Sequence, residues 1–362
     1  MSTSRTREKA DKLTYTQAEV TAKDTAARAG RKNLTINGSM QVAQRGMSTG
    51  VVIGALNADR WRLLGGVVSP VFTVTQGIGP TGAGTSLKYA TTTASTTTVG
   101  NTYIQVTQNI EGLNLQALAK GTSSAKSVTL SFWVKANQTG TYAVNLWDAT
   151  AVRQNSASYT VSAANTWEKK SIVLGPDTTG TIDNDNTVGL ALNFILASGS
   201  TYTGGSTGVS AHAFGSTNYA PNQSVNVAAN VGDYWEVAEV QMEVGSVATD
   251  FEHRSFGEIL ADCQRYFYAT ETSKVILGHV MYNHENRIAL PDIISPMRAT
   301  PSITVYTSNR SASGQLTEFS SGVSRAVNAV SGASKFGGGY IQASSGNWVN
   351  PVYLILDYDA EL

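Results

Sequence analysis

The feature that most constrains the fold is a two-residue alternation of apolar and polar side chains between Leu34 and about Glu252. In its clearest stretch, residues 127–135, one face collects the apolar side chains of Val128, Leu130, Phe132 and Val134. Residues 142–147, 188–196 and 234–244 repeat the pattern, and clusters of turn-forming residues separate them. Because successive side chains of a strand point to opposite faces, this pattern predicts an antiparallel β-sandwich.

Composition supports a mainly β protein and excludes some classes of partner. Charged residues make up only 14% of the 362 residues, and glycine is abundant with 34 copies, as expected for short strands joined by turns. The 26 basic and 26 acidic residues balance, so there is no electrostatic footprint for nucleic acid or an anionic membrane. The single cysteine, Cys263, excludes an intramolecular disulfide.

Two capping boxes predict helices on either side of the alternating region. Thr16 and Glu19 predict a short helix that ends near Gly30, with a stripe of small side chains at Ala18, Ala22, Ala26 and Ala29. This stripe suits close helix-to-helix contact, so it is the candidate surface for attachment or oligomerisation, and a frayed leader is the alternative. Ser255 and Glu258 predict a second helix that carries Cys263 in its apolar stripe.

These patterns divide the chain into four parts. Residues 1–33 form an N-terminal arm with a short helix, and residues 34–252 form the β-sandwich. Residues 253–270 are a connecting helix, and residues 271–362 are a second, small β domain in which the two-residue period returns. Within that domain, Lys274–Tyr282 and Arg287–Leu290 are predicted to pair as a hairpin.

Sequence strings that resemble cofactor, metal or catalytic motifs lack the context that such motifs need. Gly77–Gly82 matches a dinucleotide fingerprint but precedes a predicted strand instead of a helix. Asp183-Asn-Asp185-Asn186 offers oxygen ligands for a structural calcium ion, and turn chemistry explains the string equally well. Odd- and even-numbered residues of a strand point to opposite faces, and we call this side-chain parity. It places Glu236 on the opposite strand face from Glu239 and Glu243, which disfavours a glycosidase pair. We therefore expect no catalytic residue and no cofactor, with structural calcium left open.

Outward-facing aromatic and amide side chains are the remaining candidates for a binding site. Parity predicts that Trp133 and Trp147 point away from the core among small polar neighbours. Flat aromatic faces beside amides suit sugar rings, although an outward tryptophan can equally be covered by a loop or by another subunit. The candidate carbohydrate-contacting residues are Trp133, Asn145, Trp147, Asn193 and Trp235.

The N-terminus and the apolar runs bear on where the chain is expected to reside. The opening MSTSRTREKADK has no apolar core typical of a secretory signal. No apolar run reaches the roughly 18 residues that a membrane span needs. We expect a chain made in a cytosol, without a signal peptide and without membrane insertion.

Several strings between residues 33 and about 305 resemble bacteriophage virion proteins of the tail-fibre type. They are Asn33–Gly38 with Gln44-Arg45-Gly46, Ala58–Arg62, Ile110–Ala117, Ser127–Ala136, Asn165–Lys170, Val240–Gly245, and Phe251–Gly257 with Cys263–Tyr266. This resemblance implies a jelly-roll domain similar to carbohydrate-binding modules, followed by a short helix and a second β domain. It also implies a homotrimer that is fixed to the particle by its N-terminal part and partnered by other virion proteins of the tail or capsid.

The resemblance implies a virion location and a role in host adhesion, with host surface polysaccharide as the candidate ligand. No catalytic motif accompanies it, which agrees with a protein that is not an enzyme. Two alternatives stay open. One is a capsid decoration or head-fibre protein without a ligand, and the other is a polysaccharide depolymerase whose active site forms between subunits.

Overall fold

The alternating segments form strands in the computed structural model of the protein. It describes residues 31–47, 49–66, 70–80, 84–95, 100–205, 208–270, 275–276, 287–289, 297–306, 313–318, 324–331, 340–343, 352–353 and 355–361. The chain divides into two units. The first comprises the described residues within 1–39, 48–55 and 62–253, and the second those within 40–47, 56–61 and 254–362. The predicted N-terminal helix with Ala18, Ala22, Ala26 and Ala29 lies outside the described residues.

The first unit is built mainly from strands. Its strands are β1 (Arg62–Gly66), β2 (Val71–Ile78), β3 (Thr85–Thr93), β4 (Tyr103–Glu111), β5 (Val128–Ala136), β6 (Gly140–Asp148), β7 (Arg153–Val161), β8 (Glu168–Leu174), β9 (Val188–Ser198), β10 (Gly208–Ala213) and β11 (Tyr234–Val244). Helix α1 (Ser200–Thr203) and the 3-10 turns Gly112–Leu118 and Ser216–Asn218 complete it.

These strands form two antiparallel sheets that pack face to face. The six-stranded sheet has the order β1-β4-β9-β6-β7-β10, and the five-stranded sheet has the order β2-β3-β11-β5-β8. The chain crosses repeatedly between the two sheets, as in a jelly roll. The predicted fold class, mainly β with an antiparallel jelly-roll sandwich, is confirmed. Gly77 of the fingerprint-like string lies in β2. The next described element is strand β3, whereas a dinucleotide site needs a helix there.

Aromatic rings from both sheets meet in the sandwich core. The ring of Phe132 on β5 lies 5.0 Å from that of Phe194 on β9 and 5.1 Å from that of Tyr159 on β7. Phe194 also packs 5.4 Å from Trp235 on β11, whose indole N–H donates a 3.0 Å hydrogen bond to the Tyr159 hydroxyl. Large aromatic side chains with a satisfied polar atom are strong contributors to a core, so this cluster joins the two sheets.

A β-bulge in β11 reverses the side-chain parity in the middle of the strand. Ala238 pairs with Trp133 and Gln241 with Ser131, so β11 uses one residue more than β5 over this stretch. Glu239 lies at the bulge with a positive φ of 49°. Because the extra residue flips the alternation, side chains of both parities enter the core. They are Trp235, Val237, Val240 and Met242.

The bulge makes two parity predictions wrong. Trp235 was expected to face outward, but it is fully buried in the core. Glu236 and Glu243 were expected on opposite faces, but they pair with Lys135 and Thr129 of β5, which share a face. The β5 residues opposite these two glutamates are six residues apart, about 20 Å. This separation is too large for the carboxylate pair of a glycosidase.

The second unit begins with a capped helix and continues in two small sheets. Helix α2 (Phe256–Gln264) has the predicted capping box between Ser255 and Glu258. The strands of the second unit are β12 (Phe267–Ala269), β13 (Val275–Ile276), β14 (Arg287–Ala289), β15 (Ser302–Tyr306), β16 (Gln315–Glu318), β17 (Ser324–Ser331), β18 (Tyr340–Ala343), β19 (Val352–Tyr353) and β20 (Ile355–Asp359). They form a three-stranded sheet, β12-β20-β15, and a six-stranded sheet, β13-β19-β16-β17-β18-β14.

Within the described residues, β13 and β14 do not pair with each other as the hairpin predicted near residue 280 requires. Strand β13 pairs with β19 and strand β14 pairs with β18, so the two lie at opposite edges of their sheet. The predicted turn at residues 283–286 lies outside the described residues. Local alternation predicted the strands here, but it contained no information on which distant strand each would meet.

Arginine side chains and the C-terminal acidic residues form an ionic cluster in the second unit. Arg45 pairs with Asp359 at 3.0 Å, and its guanidinium stacks 3.5 Å from the ring centre of Phe267. Arg60 pairs with Glu361 and stacks 3.5 Å from the ring centre of Tyr266. Such charge-assisted contacts, supported by stacking, hold residues 40–47 and 56–61 within this unit.

Asp59 and Cys263 are buried ionisable side chains of the same unit. Burial raises the pKa of Asp59 to about 6, although hydrogen bonds from Gln44 oppose the rise. Burial also raises the pKa of the Cys263 thiol well above its usual range. Cys263 is fully buried, so its thiol is an inert part of the core.

The close packing of Gly38 against β11 gives a first test of this fold. A Cβ atom at Gly38 would lie 2.0 Å from the Val240 carbonyl oxygen, so Gly38→Ala should lower the free energy of unfolding by about 3 kcal/mol or more. Gly257→Ala is the matched control, because nothing lies within 4 Å of its Cβ position in α2 and alanine is the better helix former. Urea unfolding that finds the two variants equally stable would contradict this packing.

Asp59 gives a second test, through the dependence of stability on pH. Because its pKa is raised on folding, its contribution to stability is full below the unfolded-state pKa and is lost as the pH rises through about 6. Relative to Asp59→Asn, the wild type should gain on the order of 1 kcal/mol of unfolding free energy between about pH 7 and pH 5. The exposed Asp183→Asn is the control and should follow the wild type. Parallel pH profiles for the wild type and Asp59→Asn would contradict the prediction.

Candidate ligand-binding surfaces

The five predicted carbohydrate-contacting residues occupy three environments. Asn145, Asn193 and Trp147 share the outer face of the six-stranded sheet, where Asn145 pairs with Asn193 in register. Trp133 is half-buried on the outer face of the five-stranded sheet, and Trp235 lies in the core between the sheets. Both outer faces are therefore candidate binding surfaces, and Trp235 is a core residue.

A row of uncharged polar side chains crosses the outer face of the six-stranded sheet. We call it the polar ladder, and its members are Gln105 and Thr107 on β4, Asn193 on β9, Asn145 on β6, and Gln154 and Ser156 on β7. The Asn193 side-chain oxygen accepts hydrogen bonds from Gln105 at 3.0 Å and Thr107 at 2.8 Å. The Asn145 amide donates to Ser156 at 2.9 Å and to Gln154 at 3.2 Å.

The connection that precedes β11 covers the polar ladder. We call residues Phe214–Gln223 the cover. Its Tyr219 hydroxyl donates a 2.6 Å hydrogen bond to the Gln105 side-chain oxygen, and the Gly215 carbonyl accepts a 2.9 Å bond from Gln154. Burial raises the pKa of Tyr219, so this phenol keeps its proton. Every member of the ladder is buried beneath the cover.

Trp147 is also engaged by the cover. Its ring lies 4.9 Å from that of Phe214 in an edge-to-face arrangement, and Phe214 remains 42% exposed. Ala220 of the cover packs on Ala143 and Ile195 of the sheet. The hydrogen-bonding capacity of Asn145 and Asn193 is therefore used within the fold, and these two side chains do not face solvent.

Part of the outer face of the five-stranded sheet is accessible and carries aromatic side chains. Trp133 on β5 pairs in register with Lys169 of β8, and Lys135 on β5 lies close to Trp167 beside β8. On the other side, Glu236 of β11 pairs in register with Lys135 and with Lys88 of β3. With Tyr234 on β11, these side chains form a continuous patch that we call the platform. It comprises Lys88, Trp133, Lys135, Trp167, Lys169, Tyr234 and Glu236.

Electrostatic contacts fix the geometry of the platform. The Glu236 carboxylate accepts a 2.6 Å hydrogen bond from Ser86 and pairs with the Lys135 ammonium at 2.8 Å. That ammonium lies 4.6 Å from the ring centre of Trp167. Gly77 leaves room for the carboxylate, because a Cβ there would lie 2.8 Å from a Glu236 oxygen. Cation–π contacts of this kind hold an ammonium group over a ring face.

Tyr234 and Lys88 form a second ring and ammonium pair on the platform. The Lys88 ammonium lies 4.0 Å from the Tyr234 ring centre, and the Tyr234 hydroxyl donates a 2.7 Å hydrogen bond to Asn165. Burial, and next the charge of Glu236, raise the pKa of Tyr234. The platform therefore presents aromatic rings, ammonium groups and a protonated phenol on one sheet face.

Alternation along β5 predicts Trp133 on the outer face but does not predict the other members of the platform. Trp167 belongs to the string Asn165–Lys170, which carries the resemblance and lies outside the alternating segments. An uninterrupted alternation along β11 predicts Tyr234 and Glu236 on the core face, and the bulge reverses that prediction. The available signal was a break in phase along β11, where Trp235 and Val237 are followed by Val240 and Met242.

A third polar cluster, at one end of the sandwich, is internally neutralised. Lys120 pairs with Asp148 at 2.5 Å and with Asp177 at 2.8 Å, and Arg153 pairs with Asp177 at 2.7 Å. Burial raises the pKa of Asp177, but hydrogen bonds from Arg153 and Lys120 outweigh it and hold the pKa well below its usual range. These charges compensate one another, so the cluster has a structural explanation.

The described residues contain no group of three or more His, Cys, Asp or Glu side chains that could hold a metal ion. Residues 183–186 are the string considered for structural calcium. There the Asp185 carboxylate accepts hydrogen bonds from the Thr187 backbone amide at 2.9 Å and from the Thr187 hydroxyl at 2.7 Å. This is the bonding of a polar turn. No helix in the described part of the chain has both the length and the apolar character to cross a membrane.

No protein-family model matches the chain, and no curated protein matches it in sequence. Similar solved structures include a CBM4 carbohydrate-binding module, at 14% identity and a TM-score of 0.32, covering 57% of this chain and 97% of the module. A family 11 carbohydrate-binding module from Clostridium thermocellum, in complex with a β-1,3-1,4-mixed-linked tetrasaccharide, has 13% identity and a TM-score of 0.29, covering 56% and 99%.

A third similar structure is the enzymatically active domain of tailspike protein 4 from bacteriophage CBA120. It has 16% identity and a TM-score of 0.33, and the match covers 59% of this chain but only 21% of the tailspike chain. All three likenesses are too distant to transfer a ligand or an activity to this chain.

The bonding of the polar ladder predicts that Asn193 stabilises the fold. In Asn193→Ala, Gln105, Thr107 and Asn145 each lose a buried partner, so the free energy of unfolding should fall by about 3 kcal/mol. The exposed Asn101→Ala is the control and should change stability by less than about 0.5 kcal/mol. Thermal or urea unfolding that shows no difference between the two variants would contradict a buried, closed ladder.

Proposed function

We propose that the protein is a bacteriophage virion structural and adhesion protein whose β-sandwich binds host surface glycans at the platform. The observation that carries the binding part is the partly exposed placement of Trp133, Trp167 and Tyr234 beside Lys135 and Glu236 on one sheet face. A glycan presents apolar C–H faces and many hydroxyl groups, and this face offers aromatic surface together with donors and acceptors.

The two sheet faces differ in their readiness to bind. The polar ladder is buried, and its groups are hydrogen-bonded to one another and to the cover. On the platform, Trp133 and Trp167 remain partly exposed and Lys169 is exposed. Because preformed, accessible groups bind without the cost of displacing a folded segment, the platform is the favoured surface.

The virion role in this proposal is supported by the sequence resemblance to phage tail-fibre proteins. The attachment surface at Ala18, Ala22, Ala26 and Ala29 and the homotrimer belong to the same proposal. An N-terminally labelled protein on the particle should be found at the tail in electron micrographs. A label on the capsid facets would favour the capsid decoration alternative instead.

The proposed role is non-enzymatic. Incubation of the intact protein with host polysaccharide should release no reducing ends, because adhesion requires binding without cleavage. Release of reducing ends would overturn this part of the proposal and favour the depolymerase alternative.

Tryptophan substitutions test which face binds. Trp133→Ala and Trp167→Ala should each weaken binding to host polysaccharide by about tenfold or more, because each removes an aromatic contact from the platform. Trp147→Ala is the matched control. It removes a half-buried tryptophan from the other sheet and should leave the affinity within about twofold. Affinity electrophoresis in gels that contain the polysaccharide measures all three, and circular dichroism checks that each variant is folded.

The reverse pattern would contradict the assignment to the platform. If Trp147→Ala abolished binding while Trp133→Ala and Trp167→Ala bound normally, the ligand would lie at the edge of the covered six-stranded face. Binding that no tryptophan variant alters would remove glycan recognition from both faces.

A further inference from the structure

We infer that the platform selects acidic glycans, whose sugar rings carry carboxylate or sulfate groups, an inference that rests on the proposed glycan-binding function. The whole chain has no net charge, with 26 basic and 26 acidic residues. The platform departs from that balance, because it holds the three lysines Lys88, Lys135 and Lys169 against the single carboxylate of Glu236.

The negative charge of Glu236 does not repel an anionic ligand, because the carboxylate is buried and paired. It is buried and neutralised by Lys135 at 2.8 Å, and its other oxygen accepts the Ser86 hydroxyl at 2.6 Å. Its role is to position the Lys135 ammonium beside Trp167. The excess positive charge of the platform therefore belongs to the other two lysines.

Lys88 and Lys169 supply that excess charge. Within the described part of the chain, neither has a carboxylate within ion-pair distance. The Lys88 ammonium is held over the Tyr234 ring at 4.0 Å, so it is placed on the sheet face and does not swing freely into solvent. Lys169 is exposed and pairs in register with Trp133, which places its ammonium group on the same face as the Trp133 ring.

The spacing of these charges suits a linear acidic polymer. Lys88 and Lys135 lie on strands β3 and β5, on either side of β11, so their backbones are about 10 Å apart. Lys169 lies on β8 in register with Trp133, two residues or about 7 Å along the strands from that row. An extended glycan that crosses the strands would meet ammonium groups and aromatic rings in turn. The rings recognise the sugar and the lysines recognise its acidic groups.

The polar ladder provides an internal contrast. Its members carry amide and hydroxyl groups and no formal charge, and they are closed by the cover. A ligand that was selected only by neutral hydrogen bonds would match that chemistry. The open face instead pairs its aromatic rings with unneutralised lysines, which points to an anionic ligand.

The test uses the full-length protein and two polymers that share one backbone: polygalacturonate, and the same polymer after reduction of its carboxyl groups. Polygalacturonate should bind at least about fivefold more tightly than the reduced polymer. This preference should shrink at about 0.5 M salt, because exposed charges are screened over a few ångströms there. Equal binding of the two polymers would overturn the acidic selectivity while leaving glycan binding intact.

Lysine variants locate the charges that recognise the acid. Lys88→Gln and Lys169→Gln should each weaken polygalacturonate binding about two- to fivefold and leave binding of the reduced polymer unchanged. The exposed Lys126→Gln, in the turn before β5, is the matched control and should bind as the wild type does. A uniform effect of all three variants would mean general attraction of polyanions and would overturn the inference.

A polyanion without sugar rings separates recognition of the sugar from recognition of negative charge. Polyglutamate should bind more weakly than polygalacturonate, and Trp133→Ala should reduce only the binding of the sugar polymer. Equal binding of polyglutamate, with no effect of Trp133→Ala, would overturn the acidic-glycan inference. If neither sugar polymer nor host polysaccharide bound, the proposed function itself would fail.

Discussion

One extra residue in strand β11 decides which side chains face the core and which face solvent. The bulge at Glu239 lets Trp235 and Val237 enter the core ahead of it, and Val240 and Met242 behind it. Trp235 then reaches Phe194 and Tyr159 of the opposite sheet. Beyond the bulge, β11 pairs with residues 34–38 instead of β3, through Leu34 to Met242 and Val240 to Gly38. The aromatic junction between the sheets depends on this local change of phase.

The same bulge also shapes the platform. With Trp235 turned inward, its neighbours Tyr234 and Glu236 point outward and meet Lys88 and Lys135. Without the extra residue, either the first or the second half of β11 would present its apolar side chains to water. The central strand of the open face thus obtains its charged and aromatic groups from the constraint that builds the core.

The two outer faces show two different uses of polar side chains on a sheet. On the six-stranded sheet, amides and hydroxyls satisfy one another and are sealed by the cover, which makes them part of the interior. Buried polar groups that are fully paired specify a structure, and removal of one partner is costly. On the five-stranded sheet, aromatic rings and lysines remain partly exposed. That contrast is the physical basis for assigning binding to the platform.

The sequence predicted local structure well and long-range arrangement poorly. The boundaries of β5, β9 and β11 and the capping box of α2 follow from alternation and from end signals that act within a few residues. The pairing of β13 with β19 and of β14 with β18 depends on contacts that no local pattern encodes. Covering of Asn145 and Asn193 by residues 214–223 was equally invisible, because outward parity does not reveal what lies above a sheet. Trp133 alone among the candidate residues was placed on the open aromatic face by parity.

In the proposed function, the glycan binds at the platform and not at the covered face of the six-stranded sheet. Indole N–H resonances of the isotope-labelled, full-length protein report on this directly, because each tryptophan gives its own signal. On titration with host polysaccharide fragments, the signals of Trp133 and Trp167 should move while those of Trp147 and Trp235 stay in place. Movement of Trp147 with no change at Trp133 and Trp167 would contradict the account.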